Sequence, residues 1–87
     1  MSKNTYLTDI GTAILLARRQ DGLTQGELAH AAGITRATLS SVERGTNTSP
    51  GLATLLAISD ALEVPLWALL KQATWRMSKI EGGTRNE

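Results

Sequence analysis

An all-α fold is what this sequence predicts, on three observations. Thirteen Leu and eleven Ala stand against two Val and no Phe; Ala and Leu lose little on entering a helix, whereas strands favour β-branched and aromatic residues. Apolar residues recur at three- and four-residue spacing instead of alternating. Glycines, prolines and Thr or Ser caps interrupt that pattern at short intervals. With 87 residues, 41% of them apolar, one compact core is expected and a second domain is not. Chains this short bury only about 60 to 65% of the surface they expose when unfolded, so a partner subunit would add stability.

The first helix is expected from about Leu7 to Gln20, with Leu7, Ile10, Ile14 and Ala17 on one face, Thr5 or Thr8 as cap and Gly22 as its end. Thr24 and Glu27 then have capping-box spacing, so a second helix starts at Gln25. It is short: Leu28, Ala29 and Ala32 form its apolar face before Gly33 supplies a left-handed exit. Thr35 can cap a third helix, Arg36 to Arg44, with Leu39 and Val42 inward and Gly45 closing it. After the polar stretch Thr46 to Thr48, Ser49 and Pro50 read as N-cap and first-turn proline of a fourth helix carrying Leu52, Leu55, Leu56, Ile58 and Leu62. Pro65 opens a fifth, whose stripe Leu66, Leu69, Leu70, Ala73, Met77 and Ile80 predicts an extended C-terminal helix reaching Ile80. The last residues, 81–87, read as a polar tail.

Several function classes fall away. The chain has no cysteine and one His, which leaves no disulfide framework, thiol nucleophile or complete zinc site; no metal or cofactor is expected. The longest apolar runs, such as Ala13 to Ala17, are far short of the roughly 20 residues of a membrane span, and the polar start is no signal peptide. A cytoplasmic protein without a membrane partner is the expectation. The net charge of +1 gives no general polyanion argument. His30 could be imagined as a base beside Ser40, Ser41 and Asp60, but it lies on the polar side of a short helix and reads as a solvated surface His. No enzyme constellation emerges.

The stretch from Leu23 to Gly45, LTQGELAHAAGITRATLSSVERG, resembles the helix-turn-helix of phage-repressor-like (Cro and Xre-type) regulators. Ile14, Arg18 and Pro50 to Val64 fit the same family's compact five-helix, lambda-repressor-like domain. The resemblance therefore covers residues 7–70 as a DNA-binding domain, leaving 71–80 as a C-terminal helix extension with a possible dimerisation role. Two departures stand out. Glu63 occupies the place of a usual helix-ending Gly, and Leu15 and Leu16 are apolar where the family is usually charged, as suits a helix facing another chain.

The pattern also has physical sense. Ala29 is small where two helices cross, Gly33 makes the turn, and Ile34, Leu39 and Val42 anchor the third helix. Its outer side keeps Arg36, Ala37, Ser40, Ser41 and Arg44, on an element of the right width for a DNA major groove. Arg36 is the natural base reader, since a guanidinium donates two parallel bonds to guanine O6 and N7; Ala37 and the Thr38 methyl suit a thymine methyl. The resemblance implies that Gln25 binds a phosphate, that Thr46 and Asn47 in the following loop do likewise, and that Arg18 and Glu43 form a structural ion pair. With Thr35, the expected DNA-binding set is Gln25, Thr35, Arg36, Ala37, Thr38, Ser40, Ser41, Arg44, Thr46 and Asn47.

The expected function is a sequence-specific transcriptional regulator, a repressor or autoregulator, that binds a two-fold double-stranded DNA operator as a homodimer through residues 35–44. A phage repressor, a restriction-modification controller and an antitoxin all fit the size. The rival expectation is an interaction module in which the helix bearing Trp67 and Trp75 takes a toxin or other protein partner. Arg76, Lys79 and Arg85 read as a solvated face and tail.

Overall fold

The computed structural model describes residues 5–47 and 50–72. They form five helices and, among the described residues, no strand: α1 Thr5–Gln20, α2 Gln25–Ala32, α3 Arg36–Arg44, α4 Leu52–Leu62 and α5 Leu66–Gln72. The all-α expectation and the order of helices hold. Two starts differ. The first helix begins at Thr5, and the fourth begins at Leu52, so Pro50 stands outside it and Gly51 serves as N-cap without a side-chain bond. The expected Ser49 cap, Trp75 and the stripe from Ala73 to Ile80 lie outside the described residues.

Each interior boundary of the helix-turn-helix is made by a local hydrogen bond. At α2 the Thr24 hydroxyl accepts from Glu27 N at 3.0 Å while Glu27 Oε1 accepts from Thr24 N at 2.9 Å, the reciprocal capping box. Gly33, at φ 72°, then turns the chain, and Thr35 accepts from Thr38 N at 3.0 Å to start α3. That φ is open to glycine at little cost and strains a residue with a Cβ. The end of α4 makes the same left-handed turn without a glycine: Glu63 sits at φ 60°, the one non-Gly positive φ among the described residues. The departure noted at Glu63 leaves the turn intact but loads it with about 1 to 2 kcal/mol of steric cost.

The core takes residues from all five helices. Ile10, Ala13 and Ile14 of α1 meet Leu28 and Ala29 of α2, Leu39 and Val42 of α3, Ile58 and Leu62 of α4, and Leu69 of α5; Ile14, Leu28, Leu39 and Ile58 are completely buried. α1 packs chiefly on α3, and α2 on both α3 and α4. Gly11 permits the first contact. A Cβ there would lie 2.3 Å from the Val42 carbonyl oxygen and 2.5 Å from that of Glu43, so the backbones of α1 and α3 touch where a side chain would hold them apart. The axes of α4 and α5 turn through 100° at Glu63 to Pro65, and no single helix among the described residues is long and apolar enough to cross a membrane.

Candidate nucleic-acid interface

The helix that could read DNA is α3, and buried chemistry fixes its position. Glu43, on its inner side, accepts from Arg18 Nε at 2.7 Å and Arg18 Nη2 at 3.1 Å, a two-pronged ion pair joining α1 to α3. The two side chains are 10% and 1% exposed. Arg18 Nη1 also donates to the Leu23 carbonyl at 2.9 Å, tying in the segment before α2. Hydrogen bonding to Glu43 raises the Arg18 pKa above its ordinary value, against the opposing effect of burial, so the guanidinium stays charged throughout the useful pH range. The pair expected from the resemblance is present, and it is bidentate.

On the outer side, Arg36, Ala37 and Arg44 are exposed, and Thr38, Ser40 and Ser41 are half-buried. Their polar groups are not equally available. Among the described residues the exposed Arg36 side chain makes no hydrogen bond or ion pair, which leaves its fork of donors unengaged there. Arg44 folds its Nε back on the Ser40 carbonyl at 3.3 Å. The Ser41 hydroxyl donates to the Thr38 carbonyl at 2.9 Å, and the Thr35 hydroxyl donates to Thr38 Oγ1 at 2.8 Å. Of the two serine hydroxyls on this face, that of Ser41 has its donor satisfied within its own helix, while Ser40 shows no such tie among the described residues. In the loop, Thr46 donates its hydroxyl to the Ser41 carbonyl at 3.3 Å, and the Thr46 and Asn47 amides converge on the same oxygen. They follow directly on α3, held to its last turn.

Gln25, at the start of α2, is half-buried and donates Nε2 to Glu43 Oε1 at 2.9 Å. Sequence reasoning missed this bond because it joins residues 18 positions apart on different helices. Gly11 was missed as well, although a glycine inside an Ala- and Leu-rich helix is the signal that would have exposed it. His30 is exposed, and no cluster of His, Cys, Asp or Glu among the described residues could hold a metal. Trp67 is 64% exposed, with Lys71 Nζ 6.0 Å from its ring centroid.

A short exposed helix, set by its predecessor across a Gly turn and anchored by a buried ion pair, defines a helix-turn-helix domain of the DNA-binding type. Residues 14–66 match the helix-turn-helix family profile, and the chain belongs to that family, among its Xre-like transcriptional regulators. It is 38% identical over 74 residues to the HTH-type transcriptional regulator SlrR of Bacillus subtilis, covering 85% of this chain and 49% of that protein. The restriction-modification controller protein C.AhdI from Aeromonas hydrophila superposes with a TM-score of 0.70 at 30% identity, over 72% of this chain and 94% of that one. SinR, described as the master regulator for biofilm formation and solved in complex with DNA, gives 0.67 at 38% identity over 70% and 97%. The chain spans about half the length of the curated relatives it matches. Those relatives are HTH-type transcriptional regulators.

Proposed function

We propose that this chain is a sequence-specific transcriptional regulator, a repressor or autoregulator, that binds a two-fold operator as a homodimer with α3 in the major groove. One observation carries the reading. Arg36 stands exposed and unpaired among the described residues in the first turn of a helix whose other face is locked by Glu43 and Arg18. A base-reading side chain must be both unengaged and mounted on a rigid element, and Arg36 meets both demands. Gln25, Thr46 and Asn47 flank it as backbone contacts, and Ala37, Thr38 and Ser40 supply the neighbouring base-edge surface. The solved complex of the similar SinR with DNA supports the nucleic-acid partner.

Leu16, Leu52, Leu56 and Trp67 are exposed and offer apolar surface that a partner copy would bury. Selection of bound duplexes from a random pool tests the proposal. The expected product is a palindromic site whose half-sites are centred about 34 to 36 Å apart, one turn of B-DNA. A pool that shows no enriched sequence refutes sequence-specific regulation, and an asymmetric site refutes the two-fold dimer.

A further inference from the structure

The Glu43 carboxylate receives three hydrogen bonds. Two come from the Arg18 guanidinium and complete the ion pair; the third, from Gln25 Nε2 at 2.9 Å, crosses from α3 to the first residue of α2. The sense of that third bond is fixed by chemistry. An ionised carboxylate only accepts, so the Gln25 carboxamide must turn its NH2 side toward Glu43. A carboxamide held by one N–H keeps a second N–H donor, and it cannot rotate to exchange donor for carbonyl oxygen without giving up the bond. Released from Glu43, the same side chain would present either end, and a carbonyl oxygen facing a phosphate repels it. Arg18 steadies the same corner through its bond to the Leu23 carbonyl, two residues before Gln25.

We infer that Glu43 is a positioning residue for DNA backbone recognition: it holds the Gln25 carboxamide so that the remaining N–H is kept for a phosphate oxygen. The inference rests on the reading of Gln25 as a phosphate contact. Glu43, whose side chain is 1% exposed, does not itself reach DNA and acts through Gln25. The bond forms before DNA arrives, so the ordering of a flexible side chain is complete in the free protein and does not oppose association.

A double-mutant cycle on the affinity for a labelled random-sequence duplex tests the role, since phosphate contacts are indifferent to sequence. The pair is removed as Arg18→Met with Glu43→Leu, an apolar replacement of a kind that buried ion pairs commonly tolerate, and net charge is unchanged. Gln25→Ala alone is expected to weaken binding about tenfold. The pair replacement should weaken it at least about twofold when Gln25 is present and leave it unchanged in the Gln25→Ala background. An equal loss in both backgrounds means a merely structural role and overturns the inference. No effect of Gln25→Ala removes the phosphate contact and the positioning with it, while a native chain that binds no duplex defeats the DNA reading as a whole. Should the pair replacement not fold, the Gln25 carboxamide of the native chain is followed by NMR on adding the duplex. One of its two N–H signals should shift and the other, held by Glu43, should stay; a shift of both or neither overturns the positioning role.

Discussion

Gly11→Ala places a methyl group where α1 and α3 touch through their backbones. The added Cβ would sit 2.3 Å from the Val42 carbonyl oxygen, 2.5 Å from the Glu43 oxygen and 2.8 Å from the Glu43 carbonyl carbon. None of these is the end of a flexible side chain, so the helices must separate, by roughly 1 Å, to restore ordinary contact distances. Ile10 and Ile14 would then lift from Leu39 and Val42, and the Arg18–Glu43 pair would be stretched. Overpacking typically costs about 1 to 3 kcal/mol, occasionally more, and an obstacle made of backbone on a two-helix contact belongs at the upper end or just beyond. Replacing Gly by Ala inside a helix returns up to about 1 kcal/mol. The net loss is about 2 to 3 kcal/mol, a large share of the roughly 4 to 13 kcal/mol expected for a domain of this length.

Thermal unfolding followed by circular dichroism reads this directly, because each kcal/mol corresponds to about 4 to 8 °C in a domain of this size. Gly11→Ala should melt about 8 to 24 °C lower than the native chain. Gly26→Ala is the control: its Cβ would meet nothing closer than Thr24 Oγ1 at 3.9 Å, so its melting temperature should stay level or rise. A Gly11→Ala variant as stable as the native chain would refute the close approach of α1 and α3.

Three further outcomes follow from individual contacts. Glu43→Gln leaves the buried Arg18 charge without its counter-ion and should cost about 3 to 5 kcal/mol, whereas replacing both partners by apolar residues should cost far less; comparing the two by urea unfolding checks this. Glu63→Gly relieves the left-handed strain at φ 60°, less the extra freedom glycine gains when unfolded, and should stabilise by about 0.5 to 1 kcal/mol, seen as a melting rise of several degrees. Removing residues 72–87 takes away the end of the predicted apolar stripe, so sedimentation should shift from dimer toward monomer; a truncated chain that stays dimeric refutes a role for that segment in association.

The legible features are those set by neighbours in sequence. Thr24 with Glu27, Thr35, Gly33 and Gly45 bound the two motif helices where the sequence placed them, because caps and left-handed exits are closed by bonds within one turn. The core face was legible for the same reason: Ile10, Ile14, Leu28, Leu39, Val42 and Ile58 lie inside as their spacing demands. The Arg18–Glu43 pair was reached through family resemblance, since nothing in the local pattern links residues on different helices. The bond from Gln25 to Glu43 and the contact at Gly11 depend on how three helices meet, which periodicity does not encode. The start of α4 was misplaced because a Ser-Pro signal is equally at home in the loop before a helix.

The central claim is that Arg36 reads a base edge from a rigid α3, and the most direct measurement is the affinity of Arg36→Ala for the selected operator and for a scrambled duplex at one salt concentration. Loss of a two-pronged guanine contact should cost about 1 to 3 kcal/mol on the operator, with a smaller loss on scrambled DNA, and relax preference at one symmetric pair of positions. An equal loss on both duplexes would contradict the account and assign Arg36 to the phosphate backbone.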